Sequence, residues 1–113
     1  MSYRLELSPE SLRQIEKQQI WYEADPLRGG AEIASRWLDG LDLETLSILK
    51  HPQRYPFAPE NGMWMKKHVI RQCVYRPWKN KSGWRLLYTI NEPKKLVTIL
   101  DIRHESRRWL HDS

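Results

Sequence analysis

"GWRLLYTINEPKKLVTILDIRHESRR", residues 83 to 108, decides the fold. Trp84, Leu86, Tyr88 and Ile90 alternate with Arg85, Leu87 and Thr89, the period of a strand with one buried face. Asn91-Glu92-Pro93-Lys94 reads as a reverse turn, and Leu96 to Ile102 as a final strand rich in β-branched residues. The more apolar set on the first of these strands is expected to meet the core. Arg85, Leu87 and Thr89 are expected to point the other way.

Upstream, Val69 to Arg76 has the pattern of a further strand, joined to the hairpin by the basic turn Pro77 to Gly83, "PWKNKSG". Its facing is undecided by pattern, because Arg71, Cys73 and Tyr75 form one set and Ile70, Gln72, Val74 and Arg76 the other. "HPQRYPFAPENG" (51 to 62) holds three prolines and excludes both helix and central strand. Before it, Ala34, Trp37, Leu38, Leu41 and Ile48 recur at helical spacing, so a helix is expected from about Ala31 to Leu49, with Gly40 as its weak point. Ser8-Pro9-Glu10 reads as N-cap, first-turn proline and first-turn acid of an earlier helix. Leu12, Ile15 and Tyr22 form its stripe with Trp21 beside it. Asp25-Pro26 breaks it, and Asp25 can itself cap a first turn beyond the break. Tyr3 to Leu7 alternates as a half-buried strand.

The order β-α-α-β-β-β predicts an α+β fold in one domain spanning residues 1 to 113. We expect a small, twisted, mostly antiparallel sheet with a helical hairpin packed on one face. The other face is expected to be open and to carry the basic half of the chain.

That half is distinct. Residues 1 to 60 carry seven Lys/Arg against ten Asp/Glu, whereas residues 61 to 113 carry twelve against four. Between Glu60 and Glu92 no acid occurs, while Lys66, Lys67, Arg71, Arg76, Lys79, Lys81 and Arg85 all fall there. A one-sided field of this kind concentrates anions, polyphosphates foremost. Solubility alone is the plainer explanation, but it does not require the exclusion of carboxylates. The 40% apolar content and mean hydropathy of -0.74 fit a globular domain. No apolar run approaches the ~20 residues that span a bilayer. No signal-peptide pattern is seen, so no membrane association is expected and the cytoplasm is the expected location. One cysteine, Cys73, offers neither a disulfide nor a metal set, and neither metal nor cofactor is expected. Cys73 reads most simply as a small buried strand residue.

Where the last strand ends, His104 arrives among Arg103, Arg107 and Arg108. Cleavage of RNA through its 2′-OH needs a proton acceptor, a proton donor and cations on the phosphorus oxygens, and no metal. Histidine suits the proton steps, and arginine holds phosphate with two donors. On either facing of the preceding strand an arginine is expected beside Arg85, and like charges so placed call for an anion. The plain alternative for His104 is a surface residue near a chain end. His51, His68 and His111 have weaker cases. Trp37 and Trp84 read as core; Trp64, Trp78 and Trp109 neighbour basic segments and either pack or stack on bases or a partner.

"YRLELSPESLRQI" and "GWRLLYTINEPKKLVTILDIRHESRR" resemble the first strand–helix junction and the closing hairpin of the RelE/ParE superfamily, toxins of bacterial type II toxin–antitoxin systems. The resemblance implies a compact sheet with a helical hairpin, growth inhibition and a small antitoxin partner. RelE-like members cleave mRNA in the ribosomal A site; ParE-like members act on DNA gyrase without that catalytic set. Arg85 matches the strand arginine of the RelE-like motif, and His104 the His or Lys after the last strand. Arg107 or Arg108 takes the place of the following arginine, offset because Glu105 occupies the adjacent position. The expected function is therefore a metal-independent endoribonuclease acting on mRNA at the ribosome. Arg85 is expected to hold the phosphate, Arg107 to stabilise the transition state and His104 to move protons, with Arg71, Arg76, Lys79, Lys81, Arg103 and Arg108 binding the RNA. The alternative is a ParE-like gyrase inhibitor. It is favoured by the lack of alternating lysines in "VIRQCVYR"; Trp109, where RelE-like members often carry tyrosine, departs from the nuclease pattern. A relative kept only for autoregulation with its antitoxin is a third reading.

Overall fold

The computed structural model describes residues 2–111. Strand β1 is Arg4–Leu7, helix α1 Pro9–Glu23, helix α2 Gly30–Lys50, and strands β2, β3 and β4 are Arg71–Tyr75, Trp84–Asn91 and Leu96–His104. Short 3-10 turns at Pro26–Arg28 and Pro52–Arg54 come after the two helices. The sheet order is β1-β4-β3-β2, with β1 parallel to β4 and the other pairs antiparallel. The β-α-α-β-β-β order and the mostly antiparallel sheet are thus as expected.

Local chemistry sets each boundary. The Ser8 hydroxyl accepts the Ser11 N–H at 3.1 Å, which starts α1. The same hydroxyl donates to the Leu100 carbonyl at 2.9 Å, so the cap also fixes the helix against β4. Asp25 accepts the Leu27 N–H and starts the turn between the helices. Gly29 ends that turn with φ +104, and a Cβ there would lie 1.9 Å from the Ile33 side chain.

Between helices and sheet lies one core built around Trp37, Ile48, Leu86, Tyr88, Val97 and Ile99, all at 0% exposure. The facing of β2, undecided in sequence, is settled by register. Cys73 pairs with Leu86 and Tyr75 with Trp84, so Cys73 and Tyr75 face the helices while Gln72 and Val74 face away. Val69 and Ile70 precede the strand rather than belonging to it.

The second face is not open where β3 and β4 cross its middle. Ala58, Ile70, Leu87 and Leu100 form a smaller buried cluster, with Trp64 and Leu110 packed against it. The physical reason is that Leu87 and Leu100 are apolar and need cover. The 57–70 connection and the chain end supply it. Leu100 exists on this face because of a bulge: Leu87 pairs with Asp101 and Tyr88 with Ile99, leaving Leu100 as the extra residue.

At Gly40 a side chain of the sheet lies directly against helix α2. The Tyr75 hydroxyl donates to the Trp37 carbonyl at 2.7 Å, and a Cβ on residue 40 would lie 2.2 Å from that hydroxyl. Gly40→Ala should therefore destabilise the fold by about 1–3 kcal/mol in urea denaturation, through overpacking. Adding Tyr75→Phe should recover part of the loss; no recovery would mean that the hydroxyl is not the obstacle.

Candidate functional site

Arg85, expected free on an open surface, is 6% exposed and lies under the 57–70 connection. Its two terminal nitrogens donate to the two carboxylate oxygens of Glu60 at 2.9 and 2.7 Å, and one donates also to the Gln72 side-chain oxygen at 3.1 Å. Glu60 is 0% exposed. It also accepts the Leu110 N–H at 3.1 Å, so the chain end closes over the pair. Burial pushes the Glu60 carboxyl up, but Arg85 and the backbone donors outweigh it and hold the group below the usual carboxylate range. The expected anion is present, and it is the protein's own.

The arginine expected beside Arg85 from the preceding strand is not there, because Val74 is its partner on β2; the neighbouring arginine is Arg103, its register partner on β4. Arg103 pairs with Asp101 at 3.3 Å on the same strand. Burial dominates at Asp101 and raises its carboxyl, against the pull of Arg103. Asp101 Oδ1 and Arg103 Nε are buried without hydrogen-bond partners.

The remaining basic residues scatter. Arg71 faces the helix side at the sheet edge, donating to the Tyr55 carbonyl at 2.6 Å with its guanidinium 4.4 Å from the Phe57 ring centre. Arg76 forms a two-point pair with Glu105 at 3.0 and 2.7 Å. Lys79 and Arg108 are exposed. Trp109 stacks on His111 with ring centres 5.6 Å apart.

His104 is the register partner of Trp84 and packs edge-on against it, with ring centres 5.2 Å apart. Trp84 belongs to the helix-side core, so His104 and Arg85 project from opposite faces. His104 Nδ1 accepts the Ser106 N–H at 3.2 Å and lies 2.7 Å from the Ser106 hydroxyl.

What the fold does gather is a cleft of about 660 Å³ between α1, the 77–83 turn and the end of β4. His104, Arg107 and Lys81 line it together, joined by Lys17 and Trp21 of α1 and by Trp78. None of the residues lining it is acidic. Sequence reading missed Lys17 and Trp21 because α1 was read only for its core stripe. Glu60 was missed because a proline-rich connection has no periodicity; its one signal is its place as the last acid before the long basic window.

The ion pairs give two expectations. Arg85→Ala strands Glu60 as a buried charge and should cost about 3–5 kcal/mol in urea denaturation. The double substitution Glu60→Leu, Arg85→Met should cost clearly less; equal losses would refute the burial argument. Glu105 is held at about 2 by the Arg76 guanidinium and the Gly83 N–H, against an ordinary 4.5. A depressed carboxyl stabilises above its unfolded value and loses that contribution as pH falls toward its folded value. The stability difference between the wild type and Glu105→Gln should therefore shrink as pH falls from about 4.5 to about 2. A constant difference in thermal midpoint across that window would count against it.

Comparison with known proteins gives the wider setting. Residues 5–109 match the family model described as ParE toxin of type II toxin-antitoxin system, parDE. No curated protein matches the chain. One similar solved structure is the crystal structure of the archaeal RelE–RelB complex from Pyrococcus horikoshii, at 14% identity and TM-score 0.41, covering 96% of this chain and 100% of that one. With the family model spanning nearly the whole domain, the chain belongs to the ParE toxin family and is a type II toxin of the RelE/ParE superfamily.

Proposed function

We propose that this toxin acts by binding and not by cutting: it inhibits DNA gyrase, and a small antitoxin neutralises it. The observation that carries the reading is the separation of Arg85 from His104. Cleavage through a 2′-OH needs a base, an acid and a cation around one phosphorus atom. Here Arg85 commits its terminal donors to Glu60 and Gln72 inside the fold, while His104 lies across the sheet. The family description, a ParE toxin of a type II toxin–antitoxin system, supports the antitoxin partner, and the gyrase target is what the ParE-like side of the resemblance implies. The endoribonuclease expected from sequence would need Arg85 released from Glu60 and a path around the sheet edge.

Two assays decide. Gyrase should lose supercoiling activity on relaxed plasmid as toxin is added, and mRNA on stalled ribosomes should remain uncut. Ribosome-dependent cleavage that falls ~10²-fold or more in a folded His104→Ala variant, with gyrase unaffected, would overturn the reading.

A further inference from the structure

The two edges of the sheet are treated differently. At β2 the preceding chain covers the first half of the edge: the Gln72 N–H donates to the Pro56 carbonyl at 3.0 Å, and the Ala58 N–H to the Ile70 carbonyl at 2.9 Å. Among the described residues β1 has no such cover. Its even-numbered residues bond inward, the Arg4 N–H to the Lys95 carbonyl at 2.8 Å and the Ser8 N–H to the Ile99 carbonyl at 3.0 Å. By alternation, the N–H and C=O groups of Leu5 and Leu7 point out of the sheet. Two further features meet at this edge. Arg4 and Glu6 are exposed, and among the described residues neither has an ion-pair partner; Glu6 accepts only from the Thr98 hydroxyl, at 3.3 Å. Leu5 pairs with the core residue Val97 and so faces the helix side, yet it is exposed. On that side the exposed Leu43 and Leu46 of α2 line a groove with Tyr3.

We infer that β1 pairs with β1 of a second copy of this chain, antiparallel and two-fold symmetric, joining the two four-stranded sheets into one. Such a pairing must set outward-facing residues opposite outward-facing residues. Near the middle of the strand the available centres are Arg4, Leu5 and Glu6. Centred on Arg4 or on Glu6, the pairing sets that charge opposite itself. Centred on Leu5, it sets Arg4 opposite Glu6 of the second copy, and Glu6 opposite the second copy's Arg4. Leu5 then exchanges both of its free backbone hydrogen bonds with its counterpart. Backbone geometry and side-chain charge thus select the same register independently. Charges on an edge strand ordinarily keep other strands away. Here their signs alternate, so they oppose the neighbouring registers and favour this one. A uniformly acidic or basic peptide on the same edge would set one of the two charges against its like. A symmetric contact also brings identical surfaces together, and the leucines beside the edge give it an apolar part.

With only 4 residues in the strand, the association is expected to be weak and concentration-dependent. It rests on neither the gyrase target nor the antitoxin, and it fails separately from them. Sedimentation velocity on the full chain at rising concentration should show monomer giving way to dimer. Hydrogen exchange at the Leu5 amide should slow as the dimer forms. Arg4→Glu and Glu6→Arg each set like charges opposite one another twice in the symmetric dimer, and each should raise its dissociation constant ~10-fold or more. The double exchange Arg4→Glu, Glu6→Arg should restore self-association. An equimolar mixture of the two single variants should also associate, as a heterodimer. Leu5→Pro removes an outward N–H and leaves the inward ladder intact, so it should abolish the dimer in a chain with unchanged circular dichroism. A chain that stays monomeric up to its solubility limit would overturn the proposal. So would a dimer indifferent to the single reversals, or reversed variants that neither the double exchange nor mixing restores. Slowed exchange at Leu5 that appears only with antitoxin bound would give the edge to the antitoxin and end the self-pairing reading.

Discussion

A guanidinium on the middle strand of a sheet, directly across from a second arginine, cannot stay there without an anion. Arg85 and Arg103 are such a pair, and the fold resolves the conflict internally. Each guanidinium has its own carboxylate, Glu60 for the first and Asp101 for the second. Much of the lower face depends on the first pairing. Glu60 reaches Arg85 only if the proline-rich connection crosses the sheet, and that crossing covers Leu87 and Leu100. The spare lone pair of Glu60 then holds the Leu110 backbone, which brings the chain end back over the same place. Remove the charge pair and the connection, the small second cluster and the tail lose their common anchor.

The bulge on β4 governs the rest of the chemistry. Val97 and Ile99 face the helices, and unbroken alternation would have continued with residues 101 and 103. The extra residue at Leu100 reverses the parity, so Ile102 and His104 face the helices instead. One inserted position therefore decides that the imidazole joins Trp84 and the cleft, and that Arg103 joins Arg85. A site read as one cluster along the sequence becomes two surfaces back to back.

This explains which parts were legible in the sequence. The strands of the hairpin, the Ser8 cap, the Asp25 stop and the apolar face of α2 are local signals, and local physics decides them. The inward set Trp84, Leu86, Tyr88 and Ile90 was legible for the same reason. The facing of β2 was not, because either set could be buried until Tyr75 found the Trp37 carbonyl over Gly40. The bulge left no residue signature in "VTILDIRH". Glu60 could not be matched to Arg85, since their contact joins residues 25 positions apart through a segment without period. The acid-free window did forecast a demand for negative charge, but not that the preceding residue would meet it.

The parallel pairing of β1 with β4 has a consequence for the life history of the chain. Among the described residues, Arg4–Leu7, the first strand made, has Leu96–Ile99, in the last strand made, as its sole strand partner. β4 is also an interior strand of the sheet, so neither half of the sheet joins the other before it emerges. Contacts closing so long a loop come late in folding. A chain synthesised only as far as β3 thus lacks the strand that joins β1 to the rest of the sheet.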